Sequence, residues 1–373
     1  MTSTTHELDR RRSPGRVAAT LRWLATYALF PTVFVGTMAS ATRCLARGDD
    51  PHATMATHML AVVVLLALLE RVHSYEPSWR RAQGDVRTDL LHLLVSNVGV
   101  ATLSDALALP IGLALASLAA QSWGATLWPS HWPLVAQGVF AVVIAELPYY
   151  WWHRLSHERP LLWRLHSVHH SAPRLYWLNA VRFHPIDALI SYSIQVFPLV
   201  ALGAGVEVLA WHTIFFASHG TFQHANLKLR LGPLNWLFSM AELHRWHHSP
   251  RAEEGNTNYG GNLILWDIVF GTRFLPRDRA PGRDIGVAGV PRYPQGYLAQ
   301  LTAPLQLDQL RAQQRPQAPA LDPLRARQRS QAPASVARAR VVTGAARRSL
   351  PGWRRVWLRP RGRARWARPP VET

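Results

Sequence analysis

Long apolar stretches separated by arginines constrain the fold of this 373-residue chain more than any other feature. Four of them lie in the first 152 residues, at about 17–39, 55–72, 90–120 and 132–152. Each approaches or exceeds the roughly 20 residues that cross a hydrocarbon core of about 30 Å as an α-helix. Backbone polar groups in lipid must be satisfied within their own segment, so these stretches predict an all-α, multi-span transmembrane bundle.

Two apolar regions are too long for one straight crossing. The stretch 90–120 contains Pro110 and Gly112, and it predicts either a kinked, tilted helix or a hairpin. The block 186–217, further along the chain, predicts a hairpin of short helices that dips into the bilayer and returns.

Arginines set the expected orientation. They precede the first span and follow the second, as Arg10, Arg11, Arg12 and Arg16, then Arg80, Arg81 and Arg87. Because arginine is retained on the cytoplasmic side, both flanks are expected there, and the membrane is expected to be a bacterial inner membrane. The uncharged loop 121–131 then lies on the far side, and the fourth span returns the chain to the cytoplasm.

Histidines cluster where the fourth span ends. The clusters are His153 and His157; His166, His169 and His170; and His244, His247 and His248. On a helix, residues three and four apart share one face, so each cluster would stack its imidazoles together. Twelve of the 18 histidines lie within residues 153–248, which favours a metal site over scattered surface or core histidines.

The number and type of these side chains indicate a two-metal centre. Eight imidazoles exceed what one ion can accept, and neutral imidazole suits iron, copper, zinc or nickel. Between residues 153 and 248 there are only four acidic residues, which argues against the Glu-x-x-His di-iron bundle. The single cysteine, Cys44, excludes a cysteine-ligated iron–sulfur centre within one chain, so electrons must come from elsewhere.

The order of the clusters and their flanking residues resemble a known family. The resemblance covers AELPYYWWHRLSH, NAVRFHP, FASHGTFQHANLKL and GNTNYGGNLILWDIVFGT, within about residues 70–274. In this order and spacing the chain resembles the fatty acid hydroxylase superfamily, which includes the sterol desaturases.

The resemblance implies a non-haem centre of two iron ions on the cytosolic face of the bundle. It also implies an O2-dependent enzyme that hydroxylates or desaturates a membrane lipid, with electrons from a separate donor protein. The implied ligands are the eight clustered histidines, and HGTFQH offers His219 and His224 as two more. Ring N–H groups would be left for acceptors such as Glu146, Glu158 or Glu242.

Three further residues invite separate interpretations. His184 precedes Pro185 in a turn setting, which suits a structural hydrogen bond better than a role near the substrate. His212 lies in apolar surroundings and is expected to be an interior residue, and Asp267 is expected to orient a histidine or cap a helix.

The C-terminal end has a different composition. Residues 302–373 hold 16 arginines against three acidic residues, and LRAQQRPQAPA at 310–320 nearly repeats as LRARQRSQAPA at 324–334. Such a segment cannot bury a core, so a disordered basic tail is expected. It could contact anionic lipid headgroups, or it could be an extension without function; no domain supports specific nucleic-acid binding.

The expected organisation is a basic N-terminal segment (1–16), a catalytic domain (17–276), a linker (277–301) and the tail (302–373). Two other functions stay open from the residues alone. A membrane zinc hydrolase needs an open water position and a carboxylate base, for which Glu242 is the nearby candidate. A membrane metal carrier usually places ionisable residues within its spans, where this chain has few.

Overall fold

The computed structural model describes residues 16–124 and 127–314, and this part of the chain is helical. The helices are α1 (Arg16–Ala46), α2 (Pro51–Val72), α3 (Val86–Leu91), α4 (Val100–Trp123), α5 (Leu134–Glu158), α6 (Pro160–His170), α7 (Pro185–Leu202), α8 (Val206–His224), α9 (Ala241–His247), α10 (Ala252–Gly255), α11 (Leu265–Val269) and α12 (Tyr297–Gln314). The N-terminal segment before Arg16 and the tail beyond Gln314 lie outside the described residues.

The predicted helical membrane bundle is confirmed. Five helical segments are long and apolar enough to cross a bilayer, namely α1, α2, the continuous segment Val86–Trp123, α5 and α7. Between them, the described residues form only two isolated β-bridges and no strand. Many large apolar side chains of these helices are exposed, as expected for surfaces that face lipid.

The third apolar stretch is one continuous helical segment and not a hairpin. A π-helical segment, His92–Gly99, joins α3 to α4, and Pro110 lies within α4 without ending it. The Asn97 side-chain amide donates to the carbonyls of His92 and Val181, at 3.0 and 2.6 Å. These bonds satisfy backbone oxygens where the local helical pattern changes.

The block after residue 185 forms the predicted hairpin. Helices α7 and α8 are joined at Gly203, whose φ of 94° is in the left-handed region that favours glycine. A second glycine lets α5 approach α8 closely: a Cβ at Gly138 would lie 2.3 Å from Trp211 Cε3. The hairpin therefore packs directly on the helix that carries the first histidines.

The main apolar core lies between α1, α2 and α8. Phe30 and Phe34 on α1, Leu66 on α2 and Phe222 on α8 are almost completely buried there. The Phe30 and Phe222 rings meet edge to face with centroids 5.4 Å apart. This core holds the end of α8, and therefore His224, against the first two spans.

Two buried ion pairs fix the segment that follows the second span. Arg174 pairs with Asp85 and Arg182 pairs with Asp89, each with an N–O distance of 2.6 Å. All four side chains are at most 5% exposed, so removing one partner would leave an uncompensated buried charge.

The predicted tail, residues 302–373, includes residues that are helical in the structure. Residues 302–314 belong to α12, which packs against α6 through a cluster that includes Leu307, Ala303 and Trp163. Arg164 on α6 also pairs with Asp308 on α12. The average charge of residues 302–373 obscured the apolar face made by Ala303, Leu307 and Leu310, which recur at helical spacing.

Removing side-chain volume from this contact should loosen α12. Leu307 is fully buried, so Leu307→Ala is expected to cost about 2–5 kcal/mol through lost apolar contact and a cavity. Leu305 on the same helix is 82% exposed, and Leu305→Ala is expected to change stability by less than about 0.5 kcal/mol. Thermal unfolding of the two purified variants tests this, and equal midpoints would contradict the docking of α12.

Candidate metal centre

The clustered histidines lie near the C-terminal ends of four helices. His153 and His157 occupy the last two turns of α5, while α6, α8 and α9 end at His170, His224 and His247. A helix C-terminus carries partial negative charge from its unpaired carbonyls, which favours a nearby cation. Four such ends therefore provide a favourable field around one region of the molecule.

Nine histidines form two groups within this region. The five-histidine group contains His153, His157, His166, His170 and His247, and the four-histidine group contains His169, His224, His244 and His248. Within each group, one ring nitrogen from every member lies within 4.8 Å of the others. The groups are neighbours, since the ring centroids of His170 and His248 are 4.5 Å apart.

Oxygen acceptors orient most of these rings through Nδ1. The Nδ1–O contacts are His153 to the Tyr259 carbonyl (2.7 Å), His157 to Asn256 Oδ1 (3.1 Å), His166 to Asp187 Oδ2 (2.9 Å), His247 to the Thr257 carbonyl (2.8 Å), His169 to the Arg182 carbonyl (3.2 Å) and His224 to Asn179 Oδ1 (3.0 Å). A neutral imidazole that donates from Nδ1 keeps a lone pair on Nε2. Histidines that bind a metal through one ring nitrogen usually donate from the other to an oxygen acceptor in this way.

The opposite ring nitrogens fit a bound cation. In the five-histidine group every Nε2 atom is buried and has no hydrogen-bond partner among the described residues. In the four-histidine group, His244 Nε2 lies 2.8 Å from His224 Nε2 and 2.9 Å from His248 Nε2. Converging lone pairs repel one another and are costly to bury, whereas a metal ion between them would satisfy each.

Burial also keeps these rings in the state that binds metal. It lowers the pKa of His169, His170 and His247 well below the usual value, and neighbouring imidazoles add to the effect. The same two causes lower the pKa of His244 and His248. All five are therefore neutral at neutral pH, with lone pairs available for coordination.

The carboxylates expected to support the histidines have other partners. Glu146 accepts from Asn262 and Leu263, Glu158 pairs with Arg154, and Glu242 accepts from Leu231 and Asn235. Among the described residues, the carboxylate that contacts a clustered histidine is Asp187, which also accepts from Trp152 Nε1 at 2.9 Å. Its position two residues after Pro185, in the first turn of α7, was the available sequence signal.

Asp267 supports the site indirectly. Its carboxylate accepts from the backbone nitrogens of Tyr259 and Gly260, at 2.8 and 2.7 Å. This contact holds the loop whose Tyr259 carbonyl accepts from His153. Asn258 in the same loop adopts a φ of 54°, and its side chain bonds the carbonyls of Leu243 and Phe274.

His219 does not join either group. Its ring is buried among the rings of Phe30, Phe34, Phe215 and Phe238, with centroids 5.7 to 6.4 Å away. His224, five residues later, is a member of the four-histidine group. A five-residue offset on a helix turns two side chains to different faces, so the same motif contributes only one of its two histidines.

The other two histidines have structural positions. His184 precedes α7, where its Nδ1 accepts from the Ile186 backbone nitrogen at 3.2 Å. His212 is buried on α8 and lines an apolar cavity of about 110 Å³ between α4, α5, α7 and α8.

This cavity adjoins the histidines. Tyr149 and Phe183 line it, and the Phe183 ring stacks on His169 with centroids 4.2 Å apart. The Tyr149 and His153 ring centroids are 5.7 Å apart. The π-helical segment contributes Ser96 and Asn97 to the opposite wall. An apolar space between the helices thus ends beside the two groups.

Comparison with known proteins agrees with this geometry. The family model for fatty acid hydroxylases matches residues 138–272. Ornithine lipid hydroxylase OlsE from Rhizobium tropici is 41% identical over 247 residues, which is 66% of this chain and 73% of that protein. The chain belongs to the fatty acid hydroxylase superfamily. It is accordingly a lipid-modifying oxidoreductase, as the resemblance implied.

More distant relatives have related activities in their names. The alkylglycerol monooxygenase of Xenopus tropicalis is 34% identical over 151 residues, 40% of this chain and 32% of that protein. A very-long-chain aldehyde decarbonylase of Oryza sativa subsp. indica is 28% identical over 145 residues, 38% of this chain and 54% of that protein. No solved structure matches the chain.

Two histidines of α8, His219 and His224, provide a test of the grouping. We expect the purified protein to bind about two metal ions per chain, because nine imidazoles can fill two coordination spheres. His224→Ala should lower this to about one, since the four-histidine group loses a ligand. His219→Leu keeps an apolar side chain among the phenylalanines and should retain both ions. Elemental analysis of the membrane-inserted proteins measures this; equal metal loss in both variants would contradict the grouping.

Proposed function

We propose that the protein is an O2-dependent di-iron enzyme that hydroxylates a membrane lipid of the ornithine-lipid type. The observation that carries this proposal is the position of two adjacent histidine groups at the end of an apolar cavity within a membrane bundle. We assign the nine grouped histidines as metal ligands and leave His219 out. Bound iron would supply the reactivity toward O2 that an unactivated C–H bond requires.

The reaction needs a reductant from outside the chain. Insertion of one oxygen atom consumes the lipid C–H bond, O2, two electrons and two protons, and yields the hydroxylated lipid and water. The described residues contain one cysteine, Cys44, far in sequence from the histidines, so they offer no thiolate set for a further redox centre. We propose a separate electron-donor protein as the source of both electrons.

The protein's own residues orient the imidazoles, guide the lipid chain and exclude water from the cavity. Asp187 and the carbonyls of Tyr259, Thr257 and Arg182 hold the imidazoles through Nδ1, so that their Nε2 atoms could bind the metal ions. Phe183 and Tyr149 separate the cavity from the rings and would guide a lipid chain toward them. An apolar wall keeps water from competing with the substrate.

Hydroxylation is favoured over desaturation by the relatives. The most extensively matched relative mentioned above is named an ornithine lipid hydroxylase, and the alkylglycerol enzymes are named monooxygenases. Ornithine lipids present polar groups beside acyl chains, and the cavity offers Gln195 and Ser191 among its apolar residues. We propose that these two side chains position a polar group of such a lipid.

The two other functions have weaker support. A zinc hydrolase needs a carboxylate base, but Glu242 already accepts from the Leu231 backbone nitrogen and the Asn235 amide. A carrier needs ionisable residues along a path, but Glu70 accepts from the backbone nitrogens of Trp177 and Asn226, and Glu146 bonds Asn262. These carboxylates therefore have partners within the chain.

Lipid analysis tests the proposed activity. Expression in an ornithine-lipid-producing host should give a lipid heavier by one oxygen. His247→Ala should reduce this product by at least about 100-fold, since a metal ligand is lost. Ala188→Phe fills the cavity and should also remove most product, yet it should keep the metal.

Ala106→Phe is the matched control, because Ala106 lies on α4 with its side chain exposed. It should retain both metal and product. A lipid lacking two hydrogens would identify a desaturase and contradict hydroxylation, whereas unchanged lipids with bound iron would contradict the assigned substrate class.

We propose a bacterial inner membrane location, with the histidine groups on the cytoplasmic side. The arginines Arg80, Arg81 and Arg87, which follow α2, support this orientation. In a Cys44→Ser background, a cysteine at exposed Ala252, near the last cluster, should resist an impermeant maleimide added from outside. A cysteine at exposed Ser130, between α4 and α5, should react. The reverse pattern would place the site on the outer face.

A further inference from the structure

A second cavity lies on the other side of α9 from the metal centre. It has a volume of about 690 Å³ and is bounded by Tyr27 on α1, the chain 228–236, α9 and residues 273–281. Helix α9 alternates between the two sites: Arg245 and Trp246 line this cavity, whereas His244 and His247 belong to the histidine groups. The proposed oxidation chemistry gives the second cavity no role.

The wall of this cavity is strongly basic. Its cationic members are Lys228, Arg230, Arg245, Arg273, Arg277 and Arg279. The carboxylate in the wall is Glu242, which is already engaged by Leu231 and Asn235. Within the described part of the chain, Arg279 is the one cation of this set that pairs with a carboxylate, that of Glu254 at 3.0 Å. The cavity thus holds a large excess of positive charge.

Two buried donors in the wall lack acceptors. Trp246 and Arg245 are each 2% exposed, and neither Trp246 Nε1 nor Arg245 Nε has a partner among the described residues. A buried donor without an acceptor is costly, so this pair favours the binding of a ligand that carries acceptors. The partly buried Arg273 has the same feature at its Nε atom.

Arg245 is held rigidly as a cation. One terminal nitrogen donates to the carbonyls of Ala225 and Leu227, at 3.0 and 2.7 Å, and its guanidinium stacks over the Tyr75 ring at 3.9 Å. A guanidinium held in this way is preorganised to donate to phosphate oxygens.

The cavity lies at the depth expected for lipid headgroups. Helix α1 has 31 residues and is about 46 Å long, so it extends beyond a hydrocarbon core of about 30 Å. Near its beginning, exposed Trp23 and Tyr27 stand with ring centroids 5.2 Å apart, as in the aromatic belt at a membrane surface. Trp236, which lines the cavity, is 60% exposed. The Arg230 backbone nitrogen donates to the Thr26 carbonyl and so fixes this wall to α1.

We propose that this cavity binds the phosphate of an anionic phospholipid headgroup. The phosphate oxygens would accept from Trp246 and Arg245 at the bottom of the cavity, while the outer cations neutralise its charge. The acyl chains would leave beside Tyr27 and Trp236. An acidic protein surface fits less well, because a flat surface cannot reach donors that are 2% exposed.

Lipid retention by the purified full-length protein tests the proposal. Native mass spectrometry would measure its binding of phosphatidylglycerol and phosphatidylcholine in mixed micelles. Lys228→Gln/Arg277→Gln removes two exposed cations from the wall and should weaken phosphatidylglycerol binding by roughly tenfold. The matched control Arg81→Gln/Arg87→Gln removes two exposed arginines after α2 and should change it by less than about twofold.

Metal content should stay the same in both double variants, which separates this site from the catalytic one. Equal binding of the two lipids, or equal weakening in both double variants, would overturn the proposal. Displacement of phosphatidylglycerol by inorganic phosphate at comparable concentration would assign the cavity to a soluble anion. If the wall variant loses affinity for polyglutamate but keeps the lipid, the surface docks an acidic protein and the lipid assignment fails.

Discussion

The mutual approach of nine imidazoles is the constraint on which the structure around the two histidine groups depends. Imidazole nitrogens that face one another are unfavourable in an apolar interior unless a cation lies between them. Six of the nine rings are also held from behind by an oxygen acceptor at Nδ1. These acceptors are carbonyls of turns and the side chains of Asp187, Asn179 and Asn256.

The acceptors are in turn held by contacts to other parts of the chain. Arg182 shows this link most clearly: its carbonyl accepts from His169, while its guanidinium donates to Asp89 on α3. Asp89 also accepts from Tyr176 at 2.7 Å. The segment after the second span therefore positions a ring that lies more than 75 residues later. Buried ion pairs contribute little net stability in general, but here they place an acceptor at a defined point.

Much of the fold follows from the sequence because its signals are local. Apolar length predicts the spans, and spacing of three and four predicts which histidines share a helix face. The sequence does not reveal features that depend on helix contacts. Phe30, Phe34 and Phe238 enclose His219, and their meeting depends on how α1 packs on α8. Asp187 reaches His166 only because α7 packs on α5 beside α6. The sequence did not indicate α12, because the arginine-rich residues after it dominate the composition of residues 302–373.

Within one turn, the short helix α9 carries both grouped histidines and a buried arginine. His244, His247 and His248 require an apolar, water-poor setting, while Arg245 requires partners for its charge. A seven-residue helix can satisfy both because successive residues point about 100° apart, so the imidazoles and the guanidinium face opposite walls. The same geometry makes the helix sensitive to both sides. A ligand that fixes Arg245 and Trp246 would further restrict the backbone that carries the grouped histidines, beyond the bonds from Arg245 to Ala225 and Leu227 and those that Glu242 accepts from Leu231 and Asn235.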